Sequence, residues 1–492
     1  MLKFTFIVPN TRYKNDYLWS SLPSRGLLSL AAVLKRCGYA VDYIDADMDA
    51  LSHAEVVARI RDFGSNAVGI TMNTFQVKAA QDLAGAIKRY NGDITVIVGG
   101  PHPSSFKGNV LRACPWLDIA SVSESEGTIE EIARAIDGNG DFSEIKGICY
   151  RRDGDVHETE PRPLIEDLDT VPFPAYELAG DLTRYPGALP VLNSPSMHMM
   201  ASRGCPFNCI FCTKSVWGNK MRFRSPQNTV DEVEHLHTMY GINEVFFQDD
   251  TMNMKRDWFF SVCDEIIRRG LNESMSFKTS FRVNERLVDE ELLQKAREAG
   301  FWIIFYGVES GNQRILDTIK KGTTLEEIKR AFRLTREAGI KTIAAFMVGN
   351  VGETPKTVKD SIQLAKEIRP DYLGFSIATP LPGTAFHAIA KEKGWIYSED
   401  FSSFSQFEAV SRNEDMTMKE ITALRNKADR ETRDYLFEIN QFPGIKNPVA
   451  RRALRYIFRF KETLKSVPVL NRRLRAILRF LRKHKILKSY DV

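Results

Sequence analysis

The sequence has no long hydrophobic run and no signal for secretion. Its 492 residues contain no uninterrupted apolar stretch of about 18, the length a membrane-spanning helix needs, so no transmembrane helix is predicted. The N-terminus passes from Lys3 into a short apolar stretch without a signal-peptide cleavage pattern. We therefore expect a cytoplasmic protein.

Cysteine is scarce, and its seven copies are an odd number for so long a chain. This argues against a disulfide framework. Four of the cysteines stand apart among apolar neighbours and are predicted to be core thiols. These are Cys37, Cys114, Cys149 and Cys263. The other three fall within one short segment.

Basic and acidic residues are nearly balanced along the chain except at the C-terminus, where basic residues predominate. The formal net charge is +5, yet residues 446–492 hold 15 Lys and Arg against two acids. The other 445 residues then carry 53 basic and 61 acidic side chains, a net charge of −8. The chain is thus a mildly acidic body with a strongly basic tail.

Two regions alternate short apolar stretches with amphipathic ones, which is typical of βα units around a parallel sheet. The sequence predicts an α/β domain over 1–145, a connector over 146–195 with a hairpin signal at 152–154, and six further βα units over 196–390. Six units suit a partial barrel. A helical extension over 391–442 and the basic tail over 443–492 follow.

The three remaining cysteines are Cys205, Cys209 and Cys212, spaced C-x3-C-x2-C directly after the first strand of the second region. Three thiolates on an iron–sulfur cube leave one iron without a protein ligand, which a reactive cluster requires. A structural zinc site is an alternative, with His235 or His237 as the fourth ligand. Three ordinary core cysteines are the other alternative.

In this setting, C-x3-C-x-aromatic-C resembles the radical S-adenosylmethionine superfamily. The resemblance implies that the three cysteines bind a 4Fe–4S cluster and that S-adenosylmethionine chelates the fourth iron before cleavage to a 5′-deoxyadenosyl radical. It also implies that Phe211, which precedes the last cysteine, packs near the adenine.

Further strand ends match the superfamily in order. After the second strand, Asp249 and Asp250 stand where the family holds the methionyl ammonium, with a helix N-cap as the alternative. Ser280 and Arg282 in KTSFRVN would face the carboxylate.

Two later segments also resemble the superfamily. Glu309 in YGVESG would bind the ribose hydroxyls, with Gly307 beside it. Gly349 and Glu353 in FMVGNVGET lie in a segment similar to the glycine-containing strand that borders the adenine.

The N-terminal region narrows the resemblance to cobalamin-binding radical S-adenosylmethionine enzymes, through LPSRGLLSLAAVLKRCGYAVDYIDAD, VIVGGPHPS and SESEGT. The fold implied is a Rossmann-like (flavodoxin-like) cobalamin-binding domain followed by a partial (β/α)6 TIM-type barrel. No D-x-H-x-x-G motif occurs, so cobalamin would lack a lower histidine ligand. Thr71, Gly99 and Gly100 would cradle it, and His102 is interpreted as loop structure.

The resemblance implies an enzyme that modifies an unactivated carbon of a small-molecule or lipid substrate, with methyl transfer as the expected outcome. It also implies an electron donor such as flavodoxin or ferredoxin. A radical cyclisation or rearrangement with a degenerate cobalamin domain is the alternative reaction. A non-catalytic corrinoid or cluster carrier is an alternative of another class.

The tail contains two basic amphipathic stretches, ARRALRYIFRFKETLK and a second one around residues 470–483. Such stretches are typical of elements that bind an anionic membrane surface, here through residues 447–492 on the inner face of the membrane. Nucleic-acid binding and packing on the acidic body of the protein are the alternatives.

Overall fold

The computed structural model describes residues 2–11, 22–138, 140–188, 190–398 and 400–441. The basic tail at 443–492, for which membrane contact is predicted, lies outside them. Among the described residues, no helix combines the length and the apolar composition needed to cross a membrane.

The N-terminal domain is a seven-stranded sheet. Its strands are β1 (Lys3–Val8), β2 (Ala40–Asp45), β3 (Ala67–Thr71), β4 (Thr95–Gly99), β5 (Ile119–Ser121), β6 (Ile148–Arg152) and β7 (Asp155–Glu158). The order is β2-β1-β3-β4-β5-β6-β7, parallel up to β5 and antiparallel afterwards. The parallel part has the flavodoxin-like order, which confirms the predicted fold and places a ligand crevice between β1 and β3.

In the described part of this domain, the sheet is accompanied by the helices α1 (Arg25–Arg36), α2 (His53–Phe63), α3 (Val77–Tyr90), α4 (Pro101–Phe106), α5 (Asn109–Arg112) and α6 (Glu126–Asp137). The N-terminal domain extends past the expected boundary at residue 145. Asp153 and Gly154 both adopt positive φ angles, the conformation of a tight hairpin turn, so β6 folds back on β7 and pairs with the open edge of β5.

The second domain is a half-barrel of six parallel strands in the order β15-β14-β13-β12-β11-β8. The strands of this domain are β8 (Ser196–Met199), β9 (Ser202–Arg203), β10 (Arg222–Phe223), β11 (Glu244–Phe247), β12 (Ser276–Phe281), β13 (Phe301–Glu309), β14 (Lys341–Val348) and β15 (Tyr372–Ile377). Each sheet strand pairs with its predecessor, so all carboxyl ends lie at one edge. The two short strands β9 and β10 form a separate antiparallel pair.

The helices of this domain are α7 (Pro226–Tyr240), α8 (Arg256–Arg268), α9 (Leu271–Ser274), α10 (Glu290–Glu298), α11 (Gln313–Thr318), α12 (Leu325–Glu337), α13 (Pro355–Ile368), α14 (Ala385–Glu392) and α15 (Met418–Gln441). β13 is buried along almost its whole length, as expected of a parallel strand covered on both faces. Helix α15 packs on β15 and α13.

Candidate functional site

The three predicted cluster cysteines lie in a loop between β9 and β10. Gly204 begins the loop at φ +90°, and a Cβ there would lie 2.3 Å from the Lys220 carbonyl oxygen, so the close approach requires glycine. Farther along, the Ile210 amide donates to the Ile319 oxygen at 3.0 Å, and the Ile210 oxygen accepts from Phe386 at 2.9 Å. Backbone contacts therefore fix the loop to the half-barrel.

The loop lines a cavity of about 290 Å³, here called the cysteine cavity. Its lining brings together most of the predicted cluster and S-adenosylmethionine residues: Cys205, Cys209, Phe211, Cys212, Asp249, Asp250, Ser280, Arg282 and Glu309. Within the described residues, no group of three His, Cys, Asp or Glu side chains forms a preformed single-ion site. The assignment of the cysteines thus depends on the shared cavity and not on preformed coordination.

The two neighbouring aspartates differ in their environment. Asp249 is buried and accepts hydrogen bonds from the Ala201 amide, at 3.1 Å, and from the Ser202 hydroxyl. Burial raises its pKa to about 6 despite these bonds. Asp250 is exposed in the same lining. Asp249 therefore holds the start of the cysteine loop, whereas Asp250 presents its carboxylate to the cavity.

Arg282 is buried against the cysteine loop. Its guanidinium lies 3.4 Å from the centroid of the Phe207 ring, and Nη1 lies 3.9 Å from the Cys209 sulfur. Nη2 donates to the Lys321 oxygen. The guanidinium therefore packs between the Phe207 ring and one of the three cysteines of the loop. Ser280, half-buried on β12, lines the cavity next to it.

Glu309 ends β13 in a left-handed conformation, with φ +68°, which is strained for a residue other than glycine. Its carboxylate accepts from Lys321 Nζ at 2.8 Å, and both side chains are buried. A Cβ at Gly307 would lie 2.4 Å from the Glu309 carboxylate and 2.9 Å from Lys321 Nζ. Glycine at 307 is thus what lets this ion pair lie against the strand.

Gly349 is the one predicted S-adenosylmethionine residue outside the cysteine cavity. A Cβ there would lie 2.9 Å from the Ile421 side chain of α15, so the extension covers this position. The Gly349 amide donates to Glu353 at 2.6 Å. Glu353 is fully buried, and burial raises its pKa to about 8. Helix α15 thus packs against Gly349, and the contact of this segment with adenine stays a prediction.

A second cavity, of about 260 Å³, lies at the β1–β3 crevice of the N-terminal domain and is here called the glycine cavity. Thr71, Gly99 and Gly100 all line it, as predicted for cobalamin. A Cβ at Gly26 would meet no atom within 4 Å, and one at Gly99 would meet only Ser121 at 3.9 Å. The missing side chains at these positions keep the cavity open.

His102 lies away from the glycine cavity lining. Its ring packs 4.5 Å from Phe106 and 5.0 Å from Phe401, measured between centroids. Burial lowers its pKa to about 4, so the ring is neutral. His102 is a packed residue in the first turn of helix α4, so its interpretation as loop structure is wrong, because the chain enters a helix directly after Gly100.

The histidines considered for zinc are also accounted for by packing. The His235 ring lies 6.0 Å from Phe173 and 5.6 Å from Tyr240. His237 Nδ1 lies 2.8 Å from the Ile242 carbonyl oxygen. Neither histidine lines the cysteine cavity.

The residues that join the two domains carry no recognisable signal in the sequence. Glu124 accepts from Arg203 at 3.0 Å and from Arg222 at 2.7 Å, and Arg203 also donates to Glu126. All four side chains are buried. Because 77 to 98 residues separate the partners, no local pattern indicates them. Trp217, which lines both cavities, carries no such signal either.

Two family models match the chain. The radical SAM superfamily matches residues 199–365, and the B12 binding domain matches residues 19–133. An uncharacterized methyltransferase of Pyrococcus horikoshii, PH0819, is 31% identical over 430 residues, which are 87% of this chain and 92% of that protein. The anaerobic magnesium-protoporphyrin IX monomethyl ester cyclase of Rubrivivax gelatinosus is 31% identical over 386 residues, 77% of this chain and 68% of that protein.

Solved structures share the fold. The cobalamin-dependent S-adenosylmethionine radical enzyme OxsB, with aqua-cobalamin and S-adenosylmethionine bound, matches 100% of this chain and 76% of its own with a TM-score of 0.73 and 17% identity. The radical S-adenosylmethionine methyltransferase TsrM of Kitasatospora setae, with cobalamin and a [4Fe-4S] cluster bound, gives a TM-score of 0.65 at 19% identity over 80% of this chain and 75% of that one. These likenesses support the two-domain fold.

Proposed function

Since the chain belongs to the radical S-adenosylmethionine superfamily and carries a B12 binding domain, we propose that it is a cobalamin-dependent methyltransferase acting on an unactivated carbon. The observation that carries the proposal is the pair of cavities, one lined by three cysteines and one by glycines, which meet at Trp217. A reaction that uses two cofactors on one substrate needs two sites that adjoin.

The residues of the cysteine cavity fit a cluster and S-adenosylmethionine. Three thiols in one lining are the donors that iron–sulfur clusters take, and three leave one iron open. Asp250 offers a carboxylate for an ammonium group, and Glu309 lies in the same lining. The glycine cavity fits a corrin because Gly26 and Gly99 leave space and the Thr71 hydroxyl can bond amide side chains.

The cluster, S-adenosylmethionine and cobalamin supply the radical and methyl-transfer chemistry when bound. The protein contributes placement and the exclusion of water. Arg282 places its guanidinium beside the Cys209 sulfur. The Lys321–Glu309 ion pair fixes the Glu309 carboxylate at the end of β13, in the lining of the cysteine cavity. The buried Glu124–Arg203 contacts hold the two cavities side by side.

Anaerobic reconstitution tests the proposal. We expect about four irons per chain, a bound-corrinoid spectrum, and reductant-dependent release of both 5′-deoxyadenosine and S-adenosylhomocysteine. Cys209→Ala should lose iron and both products, whereas Cys37→Ala, at a half-buried thiol outside the cavity, should retain them. Full turnover by Cys209→Ala would refute the cluster assignment.

Radical cyclisation is a second candidate, because a cyclase is as similar in identity as the methyltransferase relative. The two reactions differ in the fate of S-adenosylmethionine. Methyl transfer leaves S-adenosylhomocysteine, whereas a cyclisation without methyl transfer leaves 5′-deoxyadenosine alone. Product analysis on a candidate small-molecule or lipid substrate therefore discriminates between them.

The cellular setting is also proposed. An oxygen-sensitive cluster and seven cysteines without a disulfide suit the reducing cytoplasm, where flavodoxin or ferredoxin would supply electrons. Residues 447–492 would bind an anionic membrane surface, because fourteen basic residues there alternate with apolar residues at helical spacing. Flotation with anionic liposomes tests this, and equal binding by a chain that lacks 447–492 would refute it.

A further inference from the structure

Trp217 is shared by the two cavities. Its half-buried side chain lines the cysteine cavity beside Cys212 and Gly218, and it lines the glycine cavity beside Val216. The residue thus forms a wall that both cavities have in common.

Both domains hold the backbone of this wall. The Val216 carbonyl oxygen accepts from the Ser123 hydroxyl of the N-terminal domain at 2.7 Å. The Trp217 carbonyl oxygen accepts from Arg222 of the half-barrel at 3.1 Å. Ser123 adopts φ +68°, a strained conformation that the surrounding contacts maintain. The position of the wall therefore depends on how the two domains dock.

The Trp217 indole ring packs against the guanidinium of Arg203. The Arg203 guanidinium lies 4.6 Å from the centroid of the Trp217 ring, within the range of a cation–π contact. Arg203 in turn donates to Glu124 and Glu126, and both of these acids line the glycine cavity. A molecule in the glycine cavity would therefore contact Glu124 and Glu126, the acids that hold Arg203 against the Trp217 indole ring.

We propose that Trp217 is a positioning residue that couples occupancy of the glycine cavity to ligand binding in the cysteine cavity. The inference rests on the proposed function, since it takes a corrinoid as the ligand of one cavity and the adenosyl ligand as that of the other. A corrinoid in the glycine cavity restrains Glu124, Arg203 and hence the indole. The second ligand then meets a wall that is already ordered and binds more tightly.

Binding measurements without turnover test this coupling. The dissociation constant of S-adenosylhomocysteine, an unreactive product, is measured by anaerobic equilibrium dialysis on cluster-reconstituted enzyme, with and without hydroxocobalamin. We expect hydroxocobalamin to tighten binding in the wild type by at least about fivefold, the lower end of ordinary allosteric coupling. Trp217→Ala should bring this factor close to one, and Trp217→Phe should give an intermediate value.

Trp116→Ala is the matched control, because Trp116 is 42% exposed and lies outside both cavity linings as the described residues define them. In this variant, hydroxocobalamin should tighten S-adenosylhomocysteine binding by the same factor as in the wild type. By linkage, S-adenosylhomocysteine must tighten hydroxocobalamin binding by the same factor, which checks each measurement. The readout is the ratio of the two dissociation constants of S-adenosylhomocysteine, measured without and with hydroxocobalamin. A merely structural defect would weaken binding under both conditions and leave this ratio unchanged.

Several results would overturn the inference. If hydroxocobalamin does not tighten S-adenosylhomocysteine binding in the wild type, or tightens it equally in Trp217→Ala, then Trp217 does not couple the cavities. The proposed function still stands in that case if both ligands bind. If Trp217→Ala does not fold, an unchanged factor in Trp217→Phe has the same meaning. Wild-type enzyme that binds neither ligand overturns the proposed function and the inference together.

Discussion

Replacing Glu124 by glutamine should loosen the contact between the two domains. The Glu124 carboxylate is buried and accepts four hydrogen-bond contacts from three donor groups. These are Arg203 Nη1 at 3.0 Å, Arg222 Nη1 at 2.8 and 2.7 Å, and the Ile165 amide at 2.7 Å. Glutamine has the same shape, but its amide nitrogen is itself a donor and turns toward other donors.

The size of the effect follows from burial. Loss of the charge leaves the Arg222 guanidinium without its carboxylate partner, while Arg203 keeps Glu126. Breaking a buried ion pair costs about 3–5 kcal/mol, and we expect this range for Glu124→Gln. With a denaturant slope of about 3 kcal/mol per molar urea, the upper end for small proteins, the midpoint of the first unfolding transition should fall by roughly 1–2 M.

Urea unfolding followed by circular dichroism measures this midpoint, and limited proteolysis of the connector reports whether the domains separate. A chain with two domains need not unfold in one step, so the first transition is the readout. Glu166→Gln is the control, because Glu166 and its partner Lys220 are 68% and 65% exposed and solvent screens such pairs so that they contribute little to stability. Equal midpoints for the two variants would refute the reasoning.

Three further predictions concern single positions. Gly204→Ala should abolish iron incorporation, measured as iron per chain, because the new Cβ would lie 2.3 Å from the Lys220 oxygen. Gly307→Ala should raise the dissociation constant of S-adenosylhomocysteine about tenfold or more, because its Cβ would displace the Glu309 carboxylate, 2.4 Å away. Glu353→Gln should raise the unfolding midpoint more at pH 8 than at pH 5. The pKa of Glu353 is raised to about 8 in the folded state, so the wild type loses stability as pH rises from the ordinary value of 4.5 towards 8.

Each of these has a matched control or a refuting result. Gly154 shares the φ of +90° but has open space around its Cβ, so Gly154→Ala should keep its iron. Gly374, on β15 of the same sheet, also has open space, so Gly374→Ala should bind S-adenosylhomocysteine normally. Iron loss or weakened binding in these controls would show that any glycine replacement suffices. A stability gain from Glu353→Gln that is equal at both pH values would exclude ionisation as its cause.

The βα alternation and the cysteine spacing could be read from the sequence because both are local. Apolar periodicity decides which segments become strands and helices, and the carboxyl ends of parallel strands then meet at one edge. This is enough to bring Cys205, Asp250 and Arg282 to one cavity. The hairpin signal at 152–154 was local too, but its pairing with β5 depended on an edge that only the folded sheet presents.

The sequence by itself determined the two-domain α/β fold, the cluster motif and most of the residues around it, because short-range spacing controls all of them. Tertiary structure alone decided that Asp249 is buried and hydrogen-bonded to the start of the cysteine loop while Asp250 is exposed in the same cavity lining, and that α15 packs against Gly349. It also decided that Trp217 separates two cavities. These outcomes depend on contacts between residues far apart in the chain, which no local pattern of residue types encodes.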